Sequence, residues 1–532
     1  MAPVEPEAAA RNNVFAYMPF GTHMALVLGL TAHVVLVARR AAKALPPATA
    51  TRTQEPLRRR YAVIFSLIAA LSLASVTTFA VIWRAISYKE WVHTETGSTP
   101  NVLYNGAHGT AGGRWYLGDW IHDVDLQAES DAIAVRTPEG FLYTSQHFTG
   151  LLAASMFFGV QGHRRNLHAS TVASFVLLGA TGSLGYALSL FFITILYTPL
   201  TIHQDDTLLH HARFTPSPVV YYLPITASLL FMYCLPTAFR EHDFLARTLS
   251  ANTISTLRWG KVAVPMLLAF APEVLPASLG RQHVSKTAAH RSYTRVFQFL
   301  STGSIVLYWV LVVADVTHNT PQMRHSRLDV FKNSVGLSKD GSLTNRILSG
   351  ISATAQRLKI VSKDPIIGAT SADVLFTVIS LLTWTFSRDL DVEAMLENSV
   401  LAFLVPHHPE KHVAFQEGAK LATQLLQPQS KPDPLLDTET TTPRKRGRPA
   451  KNKPPVPSRR SARSHAESTF HPNPSTQKQV AEMHTDGPLT AAADLVHSQE
   501  STALALFLVF VGGLGQLAAS ALGADVTGPR EE

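Results

Sequence analysis

Long apolar stretches, separated by loops rich in arginine, recur along the whole 532-residue chain. A membrane span needs roughly 20 mostly apolar residues, because each helical residue rises about 1.5 Å through the hydrocarbon layer. Stretches near 18–37, 61–83, 146–160, 171–198, 219–239, 262–279, 296–316, 372–386 and 501–523 approach that length. One such stretch would suit a buried core helix, but so many in one chain could not share a soluble core. The expected fold is therefore all-α: a polytopic helical transmembrane bundle of about eight or nine spans, with the bilayer as its solvent.

Mean hydropathy is only +0.10, because a polar tract near the C-terminus dilutes the average. Residues 427–500 are rich in Pro, Ser, Thr, Lys and Arg and read as a disordered basic linker, since such a composition buries too little apolar area to offset the entropy of ordering. The expected organisation is a membrane domain over 1–426, the linker, a final transmembrane helix over 501–523 and a tail over 524–532.

Lys and Arg number 46 against 38 Asp and Glu, a net charge of +8. In a membrane protein such an excess marks cytoplasmic loops. Arg39, Arg40, Lys43 and Arg58–Arg60 place the first loop there, and the first stretch reads as a retained anchor. The loop after the second stretch is acidic and aromatic, as an external loop would be. Beyond the fifth stretch the loops no longer alternate in charge.

One cysteine, Cys234, excludes an intrachain disulfide and any Cys-based zinc or iron–sulfur site. His203, Asp205, Asp206, His210 and His211 lack the spacing of a metal set, and Asp205–Asp206 has no third acid for a magnesium-diphosphate motif. No metal and no cofactor are expected. The string Arg446-Gly447-Arg448-Pro449 has the core of a minor-groove AT-hook. Nine Lys/Arg between Arg444 and Arg463 would produce it by composition, so attraction to anionic lipid is the preferred reading and nucleic acid is not an expected partner. Gly513-Leu514-Gly515-Gln516-Leu517-Ala518 fits a loose dinucleotide pattern without the βαβ context that would support it. Small residues at 515, 519 and 523, and at 179, 183 and 187, instead suit close helix packing in lipid.

Acids at membrane depth carry the catalytic hypotheses. Glu273 lies among Pro265, Pro272 and Pro276, which are expected to break the helix ladder and open a cavity. Asp123, Asp315 and Asp373 are its rivals as proton donor. Trp115, Tyr116 and Trp120 stand beside acids in the external loop, where ring faces could line a substrate site and steady a cation.

Several stretches together resemble the fungal membrane-bound terpene cyclases of the ascofuranone and ascochlorin type. These are Phe141-Leu142-Tyr143-Thr144-Ser145-Gln146-His147-Phe148, Gly162-His163-Arg164-Arg165, Leu190-Phe191-Phe192 with Tyr197-Thr198-Pro199, Asp373 ahead of Trp384, and the glycines of the last span. The resemblance implies an isomerase of secondary metabolism in the endoplasmic reticulum membrane. It would protonate an epoxide or olefin on a farnesyl chain and ionise no diphosphate, with the bilayer and a hydrophobic small molecule as its partners. A transporter or channel, or a non-catalytic membrane scaffold, are the alternative classes.

Overall fold

The computed structural model describes residues 14–44, 49–96, 117–136, 138–198, 214–240, 244–274, 277–283, 286–319, 343–405 and 498–528. All belong to one compact unit; a second unit, Pro406–Asn473, lies outside the described residues. So do the AT-hook-like string, the His203–His211 group and all but the end of the linker.

Among the described residues the fold is almost wholly helical. In chain order the helices are α1 (Val14–Ala44), α2 (Thr49–Thr96), α3 (Leu117–Asp123), α4 (Leu126–Arg136), α5 (Pro138–Arg164), α6 (Ala169–Thr181), α7 (Leu184–Tyr197), α8 (Val219–Arg240), α9 (Phe244–Val274) and α10 (Lys286–Arg291). They continue with α11 (Thr294–Asn319), α12 (Leu343–Val361), α13 (Pro365–Arg388), α14 (Val392–Glu397) and α15 (Ser498–Thr527). Two three-residue strands, β1 (Phe214–Pro216) and β2 (Gly280–Gln282), pair antiparallel with Thr215 opposite Arg281.

Among the described residues, five helical segments are long and apolar enough to cross a membrane: Phe20–Ala44, Glu55–Thr94, Ala288–Thr317, Pro365–Arg388 and Glu500–Thr527. Ala169–Thr181, Leu184–Tyr197 and Val219–Leu235 are apolar but shorter. Leu28, Leu71, Leu223 and Phe510 stand exposed on this exterior, as a surface in contact with lipid tails would have them.

The centre is α5. Leu151, Leu152, Ala153, Ala154, Phe157 and Phe158 are fully buried, and α9, α11, α13 and α15 all pack on this helix. Its aromatic residues join Phe175, Phe191, Phe192, Phe65 and Trp384 in one cluster, where Phe192 and Trp384 stack at 4.3 Å between ring centres.

Three expectations need correction. The stretch 171–198 is two helices, because Ser183 caps a new helix start: its hydroxyl accepts from the Tyr186 N–H, and Gly182 ends α6. The stretch 262–279 is not broken at Pro265 or Pro272; α9 runs continuously from Phe244 to Val274. Proline removes one backbone bond, but neighbouring helices hold the ladder together on either side. The acidic loop after Trp83 is partly helical, since α2 continues to Thr96 and α3 and α4 follow.

Candidate functional site

The break between α6 and α7 is where the chemistry gathers. Starting a helix inside an apolar bundle leaves backbone N–H groups without partners and a partial positive charge at the helix end. Asp373, on α13, meets both needs. One carboxylate oxygen accepts from the Ser183 hydroxyl at 2.5 Å and the Gly185 N–H at 3.1 Å. The other accepts from the Leu184 N–H at 3.1 Å and from Nδ1 of His147, on α5, at 2.8 Å. With two donors on each oxygen, Asp373 acts as an acceptor throughout, and neither oxygen has a proton of its own to give.

The remaining contacts fix this junction. Ser72 on α2 bonds the Ser183 hydroxyl at 2.7 Å. Along α13, Thr377 and Ser380 follow Asp373 on the same face and meet α7, where Ser380 bonds Ser189 at 2.5 Å. Gly185 permits that approach: a Cβ there would lie 2.9 Å from the Thr377 backbone nitrogen. At the far end of α7, Arg165 donates to the carbonyls of Ile195 and Thr198, so a cation meets the negative end of the same helix dipole.

His147 and Asp373 line a cavity of about 250 Å³. Thr144, one turn before His147 on α5, lines it as well, with Val76, Ala80, Trp83 and Arg84 from α2, Ala180 and Gly182 from the broken segment, and Ile366 and Ala369 from α13. Asp131 of α4 and Lys261 of α9 form an ion pair at 3.2 Å on its wall. Because Nδ1 of His147 is engaged by Asp373, Nε2 is the nitrogen left to serve the cavity. A carboxylate that fixes one ring nitrogen orients the imidazole and sets the role of the other.

Of the four rival acids, Asp373 alone lines this cavity. Asp373 is buried and lines the cavity. Glu273 is exposed, one residue from the end of α9, since the helix that was to break around it does not. Asp123 is exposed at the end of α3 beside His122, 3.3 Å away. Asp315 is buried on α11 but does not line this cavity. Trp120 is buried against Tyr88, and its indole N–H donates to Ser87 at 3.3 Å, so it packs α3 on α2. Trp115 and Tyr116 lie outside the described residues. Among the described residues no group of three His, Cys, Asp or Glu could hold a metal.

His147 carries the site and was not singled out as a proton carrier from the sequence. Its signal was there: an ionisable side chain inside an apolar helix is a functional candidate by default. No family model, curated protein or solved structure matches this chain.

Proposed function

We propose that the chain is a multi-pass membrane enzyme of about eight or nine spans that cyclises a prenylated, meroterpenoid molecule by proton transfer, as its resemblance to the fungal membrane-bound terpene cyclases implies. The observation that supports this most is the His147–Asp373 pair facing a cavity inside a bundle whose outside is apolar. The bilayer would deliver the hydrophobic substrate, and the endoplasmic reticulum is the proposed location.

In this reading His147 is the acid, in place of a free carboxylic acid. The imidazolium Nε2–H protonates an epoxide oxygen; the C–O bond opens as an olefin of the same chain attacks the carbon. The cation left after ring closure loses a proton from a neighbouring carbon to Nε2, which regenerates the imidazolium. The product is an isomer of the substrate, and no proton is lost overall. Asp373 keeps the ring oriented and stabilises its charge. At about 250 Å³ the cavity is slightly smaller than the range of about 300–1,000 Å³ for small-molecule pockets, so it would hold the reacting end of a longer chain.

Microsomes containing the protein should convert a farnesylated epoxide to a cyclic isomer of unchanged mass. His147→Asn should abolish the conversion while leaving the protein folded. Full activity in His147→Asn would refute His147 as the acid.

A transporter is the second reading, because broken helices at membrane depth are a feature of transporters. In those proteins the start of a half-helix faces the substrate. Here Asp373 of the chain itself fills that position, which favours a fixed junction. Substrate flux in proteoliposomes without chemical change would reverse that preference.

A further inference from the structure

Each carboxylate on the cavity wall has its cation or donor. Asp373 is held by His147, and Asp131 by Lys261, with Arg258 also 3.6 Å from it. Arg84 is different. It lines the same cavity and forms no ion pair among the described residues. Its Nη1 donates to the Ala80 carbonyl of its own helix at 3.1 Å. That bond directs one side of the guanidinium back along α2. The other side carries Nε–H and Nη2–H in parallel, and Nε is buried without a hydrogen-bond partner.

Nε itself has no accessible surface, so a ligand in the cavity meets the remainder of the guanidinium, whose planar charge suits a carboxylate. A part-buried guanidinium without a counter-charge among the described residues is a cost to the folded protein that a bound anion would reduce. The rings of Phe20, 5.0 Å away, and Trp83, 6.0 Å away, lie under the guanidinium. They support its charge and orient its plane, but offer it no oxygen.

We propose that Arg84 receives the carboxylate of an amphiphilic ligand in this cavity, so that the substrate class is an isoprenoid chain bearing an acidic group. This rests on the cavity being the substrate site. The bound acid would anchor one end of the ligand at α2 while the chain runs toward His147.

The test uses the full chain in phosphatidylcholine nanodiscs, with farnesoic acid as the probe and farnesol as its neutral counterpart. The acid should bind roughly tenfold more tightly than the alcohol, the value of one charge-assisted hydrogen-bonded contact. Arg84→Met should lower the acid's affinity to that of farnesol and leave farnesol unchanged, which also reports that the variant is folded. Arg84→Lys, which keeps the charge and loses the planar guanidinium, should lose part of the preference.

Equal binding of acid and alcohol to the native protein would overturn the proposal, as would a preference that survives in Arg84→Met. Loss of acid binding when phosphatidylglycerol replaces phosphatidylcholine would also overturn it, because the arginine would then hold a lipid head group. His147→Asn should keep the acid preference. A preference without any cyclisation would thus sink the cyclase reading and leave Arg84 its role.

Discussion

Two segments of this bundle behave in the opposite way to what their sequences suggest. The stretch with Pro265 and Pro272 carries an acid and the residues most hostile to a helix, and it forms a continuous helix with Glu273 exposed. The stretch around Gly182 and Ser183 contains no proline and no acid, yet it breaks, and an acid from another helix closes the gap. A helix in an apolar medium ends where something else satisfies its backbone. Proline removes one bond without offering a substitute, whereas Ser183 and Asp373 supply the substitutes. The location of a break is therefore set by its partners, and those come from distant parts of the chain.

The largest effect should follow removal of that partner. Asp373→Ala leaves the Ser183 hydroxyl, two backbone N–H groups and His147 without their acceptor, and should cost about 3–5 kcal/mol, read as a fall in unfolding temperature in detergent. Glu273→Ala should stay within about 0.5 kcal/mol, as for exposed positions generally. Equal shifts in the two variants would erase the distinction between the segments. Next in size, Gly185→Ala forces a methyl group against the α13 backbone 2.9 Å away and should cost about 1–3 kcal/mol. Gly260 on α9 has nothing within 4 Å of a Cβ position, so Gly260→Ala should be neutral or slightly stabilising. Ser183→Ala removes the cap of α7 and should cost about 1–2 kcal/mol, with Ser183→Thr recovering most of it. If Ser183→Ala is silent, the cap is not what fixes the break.

Much of the helical fold was legible because it depends on local composition, in runs of apolar residues; the stretch at 372–386 is the later part of α13, which opens earlier, at Asp364-Pro365, where the aspartate accepts from the Ile366 N–H. Close approach holds at Gly179, against Leu151, and at Gly523, against Asn398, but the series 179, 183 and 187 does not lie on one helix, because Ser183 caps α7. Gly513, at φ 71°, interrupts α15 in the region read simply as a packing stretch, with Gln146 against it. Asp373 was among the acids singled out, but nothing local told it apart from Asp315, which is equally buried. Its partners lie 188 to 226 residues away in sequence, from Gly185 to His147. An arrangement made by three helices cannot be read from any one of them, and Glu273 looked stronger only because its neighbours were visible.

The smallest expected effect lies outside the membrane-spanning segments, at His283, the residue after β2. Its Nε2 lies 2.8 Å from the Thr215 hydroxyl, which also meets Ser292 at 3.0 Å. Burial, and then the nearby Arg281, lower the His283 pKa below its ordinary 6.5. The folded protein therefore prefers the neutral ring, while the unfolded chain takes up a proton first as pH falls. The stability that His283 contributes is fully present above about pH 6.5, and it declines as pH drops through the lower folded value. His283→Gln should flatten this part of the pH–stability curve by a few tenths of a kcal/mol at most, because the residue is only part-buried and solvent screens it. The same substitution should leave the Asp373→Ala deficit unchanged, since sites that share no partner add independently. Coupling between the two would mean that the β1–β2 pair and the α6–α7 break form one cooperative unit, and the break could then no longer be attributed to its local partners alone.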